Sequence, residues 1–128
     1  MRGNPGSGML PGMNLPLRTL CHLSDIPDGT ARGFPGPPGS FIGLFAIRRG
    51  ERVFVYINSC PHIGTSLNLL PDRFLSADAA LIVCVTHGAE FRIEDGYCVR
   101  GPCSGDRLEA VPVRIEKGEV LIPADAGL

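Results

Sequence analysis

The chain has 128 residues and a formal net charge of −1, a size and a charge balance that suit one compact domain. No basic block or stripe is present, which argues against nucleic acid or an anionic membrane surface as the main partner. No apolar run reaches the roughly 18 residues that span a bilayer, and we find no export signal near the N-terminus. We therefore expect a cytoplasmic protein, in which the five cysteines serve as thiols or metal ligands rather than disulfides.

Seventeen glycines and twelve prolines interrupt the chain too often for long helices, so the composition predicts short strands and turns. Residues 1–14 are predicted to be a disordered leader, and residues 15–125 to be the folded domain. The Pro/Gly-rich stretch 33–39 is predicted to be a surface loop. Alternating or continuous apolar patterns predict strands at 17–23, 41–48, 52–57, 79–85, 90–94, 97–100, 108–115 and 119–123.

Turn residues join several of these strands into hairpins, at residues 49–51, at the two-residue turn 95–96, and at residues 117–118. We expect an all-β protein of about nine or ten short strands, without a convincing helix. Such a set must close into a barrel or stack as a sandwich to hide its edges. A small subdomain at about residues 58–103 is expected to carry the functional site.

Two short motifs dominate the chemistry of the chain. A C-x-H motif occupies residues 60–62 and a C-x-x-H motif occupies residues 84–87, and residues 63–83 separate them. Each motif follows a predicted strand and precedes a glycine-containing turn. Together they offer two thiolates and two imidazoles, which are common metal ligands. The four candidate ligands are Cys60, His62, Cys84 and His87.

Three interpretations compete for this ligand set. The four residues could be ordinary core and loop residues, since cysteine is often buried without a function. They could hold tetrahedral zinc, although zinc modules usually group the two cysteines together and the two histidines together. They could hold a [2Fe–2S] cluster in which two cysteines bind one iron and two histidines bind the other. One cysteine and one histidine in each loop favours the cluster.

The chain resembles Rieske-type [2Fe–2S] ferredoxins over roughly residues 17–123. The resemblance rests on the pattern N-x-C-P-H-x-G-x-x-L at residues 58–67 and C-x-x-H-G-x-x-F at residues 84–91. It continues through Asp95-Gly96, Gly101-Pro102, Leu108, Pro112-Val113 and Gly118. One departure is Val85, where many members have proline, but this position is not a ligand in the family.

The resemblance implies a Rieske-like fold with one [2Fe–2S] cluster and a role for each matching residue. Cys60 and Cys84 would bind the inner iron, and His62 and His87 would bind the outer iron near the surface.

Around these ligands, Gly64 and Gly88 would let backbone N–H groups approach the sulfides. Gly101-Pro102 resembles the loop that covers the cluster from a third side in the family. Ordinary turn chemistry is a compatible role for the same three glycines and the proline.

Four further positions indicate which kind of Rieske protein this is. Thr65 and Thr86 stand where the respiratory and photosynthetic members carry a disulfide between the two loops. Ala89 and Phe91 stand where high-potential members have serine and tyrosine, whose hydroxyls donate to the cluster sulfurs. Neither side chain here is a donor. Fewer donors stabilise the added electron less, so we predict a midpoint potential of about −150 mV.

This pattern resembles the ferredoxin components of bacterial aromatic-ring dioxygenase systems. The resemblance implies a one-electron carrier between a flavoprotein reductase and a terminal oxygenase. We find no catalytic base or nucleophile, so we do not expect an enzyme. The alternative is a small subunit of a larger reductase, such as an assimilatory nitrite reductase. A terminal oxygenase fragment is disfavoured because the chain lacks room for a mononuclear iron domain.

The remaining cysteines receive structural interpretations. Cys98 and Cys103 are expected to pack as small apolar residues near the cluster, in preference to a disulfide. Cys21 is expected to be a buried strand residue. His22 is expected not to be a ligand, because adjacent strand residues point to opposite faces. Residues 72–73 are expected to belong to a solvated loop, with contact to a partner as the alternative.

Overall fold

A computed structural model describes residues 16–40, 42–61, 64–86 and 88–127. In this part of the chain, ten strands form three antiparallel sheets, and the one helical element is a single 3-10 turn at Leu23–Asp25. The expectation of an all-β protein is therefore confirmed. The predicted leader 1–14 and the candidate ligands His62 and His87 lie outside the described residues. The described part has no helix long and apolar enough to cross a membrane.

The strands are short, as the turn-rich composition predicts. They are β1 Leu17–His22, β2 Ala31–Phe34, β3 Leu44–Arg49, β4 Arg52–Ile57, β5 Leu81–Val83, β6 Glu90–Arg92, β7 Cys98–Arg100, β8 Ala110–Val111, β9 Arg114–Glu116 and β10 Glu119–Pro123. The central sheet has the order β2-β3-β4-β8. The two outer sheets have the orders β1-β10-β9 and β5-β6-β7.

Strand β3 of the central sheet is buried on both faces, which explains why its first four residues are all apolar. Phe45 and Ile47 belong to a core shared with the β5-β6-β7 sheet, which we call the cluster-side core. Leu44 and Ala46, on the opposite face, belong to a second core shared with β1 and β10. Because successive side chains of a strand point to opposite faces, one strand supplies both cores.

One strand was missed, and one predicted strand is divided in two. Strand β2 was missed because it ends inside the Pro/Gly-rich stretch 33–39. A Cβ added to Gly33 would lie 3.3 Å from the ring of Phe74, so glycine lets this ring pack closely on the strand. The predicted strand 108–115 is divided between β8 in the central sheet and β9 in an outer sheet. Pro112 separates the two pieces, since proline has no N–H to donate to a ladder.

Two predicted hairpin turns are confirmed and one is wrong. Arg49 pairs with Arg52, and Glu116 pairs with Glu119, so each connection has two residues. The connection between β6 and β7 is wider than the two residues expected at 95–96. The N–H of Arg92 donates to the carbonyl of Tyr97 at 2.9 Å, which leaves residues 93–96 as a four-residue loop.

Candidate metal centre

The first ligand loop is closed by its own backbone. The N–H of Cys60 donates to the carbonyl of Thr65 at 2.8 Å. The N–H of Gly64 donates back to the carbonyl of Cys60 at 2.7 Å. Gly64 has a φ of +78°, a left-handed conformation that a residue with a side chain rarely adopts. The loop therefore turns sharply, with its glycine at the exposed end.

The second ligand loop repeats this closure. The N–H of Cys84 donates to the carbonyl of Ala89, and the N–H of Gly88 donates to the carbonyl of Cys84, both at 2.9 Å. Gly88 has a φ of +73°. The two motifs place histidine at different distances from cysteine, yet their backbones make the same two hydrogen bonds at the same spacing. The backbone N–H of each glycine is therefore hydrogen-bonded to the cysteine carbonyl of its own loop.

Both loops bury the cysteine and expose the rim. Cys60 and Cys84 are 2% and 1% exposed, and both belong to the cluster-side core. Thr65 and Thr86 are exposed, as are the two loop glycines. Two thiols on the buried side and a polar rim on the solvent side suit a group that is bound between the loops and reaches the surface at one edge.

Asn58 anchors the first loop, a role that sequence reasoning missed although the residue stands in the matched pattern. Its Oδ1 accepts a hydrogen bond from the N–H of Leu67 at 2.8 Å, and its Nδ2 donates to Oδ1 of Asn68 at 2.9 Å. Leu67 also joins the two loops, because its carbonyl accepts the N–H of Val85 at 2.9 Å. This chain of hydrogen bonds sets the position of one loop relative to the other.

A third segment packs on the second loop. Gly101 has a φ of +107°, and a Cβ added to it would lie 2.7 Å from Cα of Ala89. The backbone of Gly101 thus contacts the second loop so closely that no side chain fits between them. Pro102 follows at the surface. The segment that was expected to cover the cluster therefore lies directly against one of the two ligand loops.

Two buried sulfur atoms lie together in the cluster-side core. The Sγ of Cys103 donates a hydrogen bond to the Sγ of Cys98 at 3.0 Å. The Sγ of Cys98 donates to the carbonyl of Arg100 at 3.2 Å. Burial, and then the neighbouring Cys98 sulfur, raise the pKa of Cys103 to about 12, so it is a neutral thiol at neutral pH.

The expectation that Cys98 and Cys103 pack near the cluster loop is confirmed. They are 0% and 2% exposed and belong to the same core as Cys60 and Cys84. None of the five cysteines, all of which lie in the described ranges, is in a disulfide.

Two buried side chains at the second loop cannot donate a hydrogen bond. Ala89 and Phe91 are 1% and 0% exposed, and neither has a polar group. Phe91 faces Ile82 across the β5–β6 ladder and completes the cluster-side core. This part of the site is apolar, which agrees with the low midpoint potential predicted from the residues at these two positions.

The structure also shows where two other predicted features lie, the Cys21-His22 pair and the loop at residues 72–73. Cys21 is buried in the second core and His22 is exposed, so adjacent residues do point to opposite faces. Asp72 has a specific role in the loop at residues 72–73. Its Oδ1 accepts a hydrogen bond from the N–H of Gly33 at 2.8 Å, which ties the loop between the two motifs to strand β2.

Comparison with known proteins decides the family. A family model for the Rieske [2Fe-2S] domain matches residues 18–114, more than half of the chain. The chain belongs to the Rieske [2Fe-2S] domain family. Its matched region contains both ligand loops, the Gly101-Pro102 segment and the cysteines at positions 98 and 103.

Solved Rieske proteins share the fold. A chain in the complex of reduced oxygenase and oxidized ferredoxin of carbazole 1,9a-dioxygenase is 26% identical, with a TM-score of 0.68, and the match covers 88% of this chain and 96% of that one. The ferredoxin of carbazole 1,9a-dioxygenase from Nocardioides aromaticivorans IC177 is 21% identical, with a TM-score of 0.66, over 84% and 96%. A further chain, from a complex of carbazole-bound oxygenase and ferredoxin, is 20% identical with a TM-score of 0.68, and the match covers 84% of this chain but 28% of that one.

Membership of the Rieske family implies a [2Fe–2S] cluster, and the described residues fit one. Cys60 and Cys84 bring two buried thiols from two loops of the same form, and the rim of each loop is exposed. When bound, the cluster supplies one-electron redox chemistry. The protein's own residues hold it, exclude water from its sulfur ligands and set the hydrogen bonds that reach them.

Proposed function

We propose that this Rieske protein is a one-electron carrier that takes electrons from a flavoprotein reductase and passes them to a terminal aromatic-ring oxygenase. It catalyses no reaction by itself. The observation that supports this most is the match to 96% of the length of the ferredoxin of carbazole 1,9a-dioxygenase, compared with 28% of a chain from the oxygenase–ferredoxin complex. A match along nearly the whole length of a carrier favours the carrier's role.

We propose the ligand assignment on the same basis. Cys60 and Cys84 bind the inner iron, because both thiols are buried in the cluster-side core. His62 and His87 bind the outer iron, because Gly64 and Gly88, which follow them in the chain, lie at the exposed end of the loops. Electrons would then enter and leave at the histidine edge, where a partner can approach most closely.

An apolar surface beside the loops supports protein partners at this end. Val85, directly after the ligand Cys84, is 49% exposed. Leu69 and Leu70, which follow the Leu67 that hydrogen-bonds Val85, are 82% and 55% exposed. Exposed apolar residues that cluster at one end of a small domain are typical of a protein interaction surface. Partners that dock here would cover the end of the molecule that holds the cluster, rather than the β1-β10-β9 sheet.

Two broader assignments go with this proposal. Residues 58–103 form the cluster-binding subdomain, which is supported by the two ligand loops and the β5-β6-β7 sheet in that range. The carrier works in the cytoplasm, which suits five cysteines without a disulfide, because thiols persist in a reducing compartment.

EPR of the dithionite-reduced protein tests the cluster and its ligands. We expect a signal with an average g value below that of an all-cysteine [2Fe–2S] centre. His87→Cys should shift this signal, whereas the matched control His22→Cys, at an exposed strand position, should leave it unchanged. A colourless zinc protein, or a signal that His87→Cys does not move, would contradict the assignment.

A reconstituted electron-transfer assay tests the partners. The reduced protein should transfer electrons to a ring-hydroxylating oxygenase and be re-reduced by a flavoprotein reductase. Transfer to a sirohaem nitrite reductase, without transfer to the oxygenase, would overturn the proposed pathway and leave the cluster assignment standing.

A further inference from the structure

Two buried cysteines that the ligand assignment does not use lie side by side. Cys98, in strand β7, and Cys103, five residues later, are 0% and 2% exposed, and both are free thiols. The Sγ of Cys103 donates a hydrogen bond to the Sγ of Cys98 at 3.0 Å. A disulfide has an S–S distance of about 2.05 Å, so the two sulfur atoms need to approach by about 1 Å to bond.

The backbone holds the two cysteines in this position. The N–H of Cys98 donates to the carbonyl of Asp106, and the N–H of Asp106 donates to the carbonyl of Cys103, both at 2.8 Å. The N–H of Gly105 donates to the carbonyl of Cys98 at 3.2 Å. These bonds form one closed turn that keeps the two side chains in contact. A disulfide here would therefore replace an existing contact, rather than draw together two distant parts of the chain.

The same turn is suited to local opening. Residues 101–107 are all described, and Cys103 is the one buried residue among them. Opening the turn therefore exposes a single buried side chain and breaks few hydrogen bonds, which are the properties of a segment with a low free energy of local unfolding. In the closed turn, burial protects both thiols from oxidants. The state of the turn thus controls when Cys103 can react.

We propose that Cys98 and Cys103 form a reversible disulfide when low-molecular-weight disulfides such as oxidised glutathione accumulate, and that this bond fixes the Gly101-Pro102 segment on the second ligand loop. The Cys103 thiol attacks one sulfur of the small disulfide, which gives a mixed disulfide and releases one small thiol. Cys98 then attacks the Cys103 sulfur and releases the second small thiol. The two cysteines lose two electrons and two protons, which the two released thiols carry away.

The consequence for the cluster follows from what the ring encloses. The disulfide closes a ring of residues 98–103, and this ring contains Gly101. The backbone of Gly101 lies against Ala89, whose carbonyl closes the second ligand loop. A cross-link stabilises a closed turn because it removes the extended conformations of the ring. The oxidised protein should therefore hold this segment on the loop more firmly, and lose its cluster more slowly, than the dithiol form.

Peptide mapping tests the disulfide. The iron-loaded protein is equilibrated without oxygen at increasing ratios of oxidised to reduced glutathione, alkylated, and digested with trypsin, which cleaves after Arg100 between the two cysteines. A disulfide that joins these two peptides should appear as the ratio rises, at unchanged iron content, and dithiothreitol should remove it. Cys21, buried in the second core, is the internal control and should stay a free thiol.

Three results of this mapping would overturn the proposal. One is that both cysteines remain free thiols at the most oxidising ratio. Another is that a mixed disulfide with glutathione is the end product. The third is that the Cys98–Cys103 disulfide forms only after the iron has been lost.

The rate of iron loss to a chelator tests the effect on the second loop. The unmodified protein should lose iron about tenfold more slowly in the disulfide form than in the dithiol form. Cys103→Ser cannot form the disulfide and should lose iron at one rate at every glutathione ratio. If this variant does not retain iron, Cys98→Ser takes its place. Equal rates for the two forms of the unmodified protein would contradict the effect on the loop. Failure of the proposed function is distinguishable, since neither measurement involves electron transfer to a partner.

Discussion

The two ligand loops have the same shape but are held in place by different forces. Each is closed by one hydrogen bond to a cysteine carbonyl and one from a cysteine N–H, around a left-handed glycine. The first loop is anchored by side-chain hydrogen bonds of Asn58. The second loop is anchored by close packing of its Ala89 against Gly101. Local backbone chemistry thus shapes a ligand loop, whereas distant residues decide where it sits, and the two loops should respond to different substitutions.

The largest effect is expected at the packing contact of the second loop. In Gly101→Ala the new Cβ would meet backbone atoms of Ala89, the nearest at 2.7 Å, and φ would be strained as well. Overpacking and a left-handed alanine together should lower the free energy of unfolding by about 3 kcal/mol. Gly105→Ala is the matched control, since Gly105 also has a positive φ but has no atom within 4 Å of an added Cβ. It should lose only about 1–2 kcal/mol.

Denaturant unfolding and iron content measure both glycine variants. Gly101→Ala should also lose iron more readily, because Ala89 carries the carbonyl that closes the second loop. Equal losses of stability in the two variants would show that backbone strain alone, and not contact with Ala89, makes glycine necessary at position 101.

A smaller loss is expected at the anchor of the first loop. Asn58→Ala leaves the N–H of Leu67 without its side-chain acceptor, at a partly buried position. This should lower the free energy of unfolding by about 1–3 kcal/mol. Asn68→Ala removes the amide–amide hydrogen bond but keeps the bond from Leu67 to Asn58, and it should lose less. If Asn68→Ala loses as much stability as Asn58→Ala, the Leu67 contact is not the anchor.

The effect of the apolar surroundings of the second loop can be tested by measuring the midpoint potential of the cluster. Ala89→Ser places a hydroxyl donor at a position that is 1% exposed. We expect the midpoint to rise from about −150 mV by roughly 59 mV, which corresponds to a tenfold change in the reduction equilibrium. Thr65 occupies the equivalent position of the first loop but is exposed, so Thr65→Val should leave the potential near its starting value. Protein-film voltammetry measures both, and a midpoint above zero in the unmodified protein would contradict the low-potential assignment.

The smallest effect concerns the hairpin that follows the second loop. Asp95 hydrogen-bonds the guanidinium of Arg92 and the N–H of Tyr97, and these bonds lower its pKa from 3.8 to about 2. A carboxyl whose pKa is lower in the folded state stabilises the protein above its unfolded pKa and loses that contribution as the pH falls through the folded value. Asp95→Asn should therefore be less stable than the unmodified protein at pH 7, and the difference should shrink between about pH 4 and pH 2. Urea unfolding at pH 7 and pH 3 measures this, and a difference that does not depend on pH would contradict it.

Sequence patterns predicted the strands whose pairing is local. Arg52–Ile57 and Glu119–Pro123 have the predicted bounds, because an apolar alternation and a neighbouring hairpin turn specify such strands. Strand β2 was missed because its Gly33 belongs to a Pro/Gly-rich stretch that is typical of a loop, whereas in the fold this glycine packs against the ring of Phe74, far along the chain. The division of residues 108–115 between two sheets was missed for a similar reason. Local pattern does not say which sheet a strand joins.

The sequence by itself determined the chemistry of the site: two cysteine–histidine motifs with a glycine-containing turn after each, and the absence of donor side chains at positions 89 and 91. These are properties of residue type and spacing, which need no fold to be recognised. Only the tertiary structure showed that Gly101 packs on Ala89 and that the carbonyl of Leu67 joins the two loops by accepting the N–H of Val85. Such contacts join residues that are distant in the chain. They form when the strands pack around the cluster-side core, and no local periodicity encodes them.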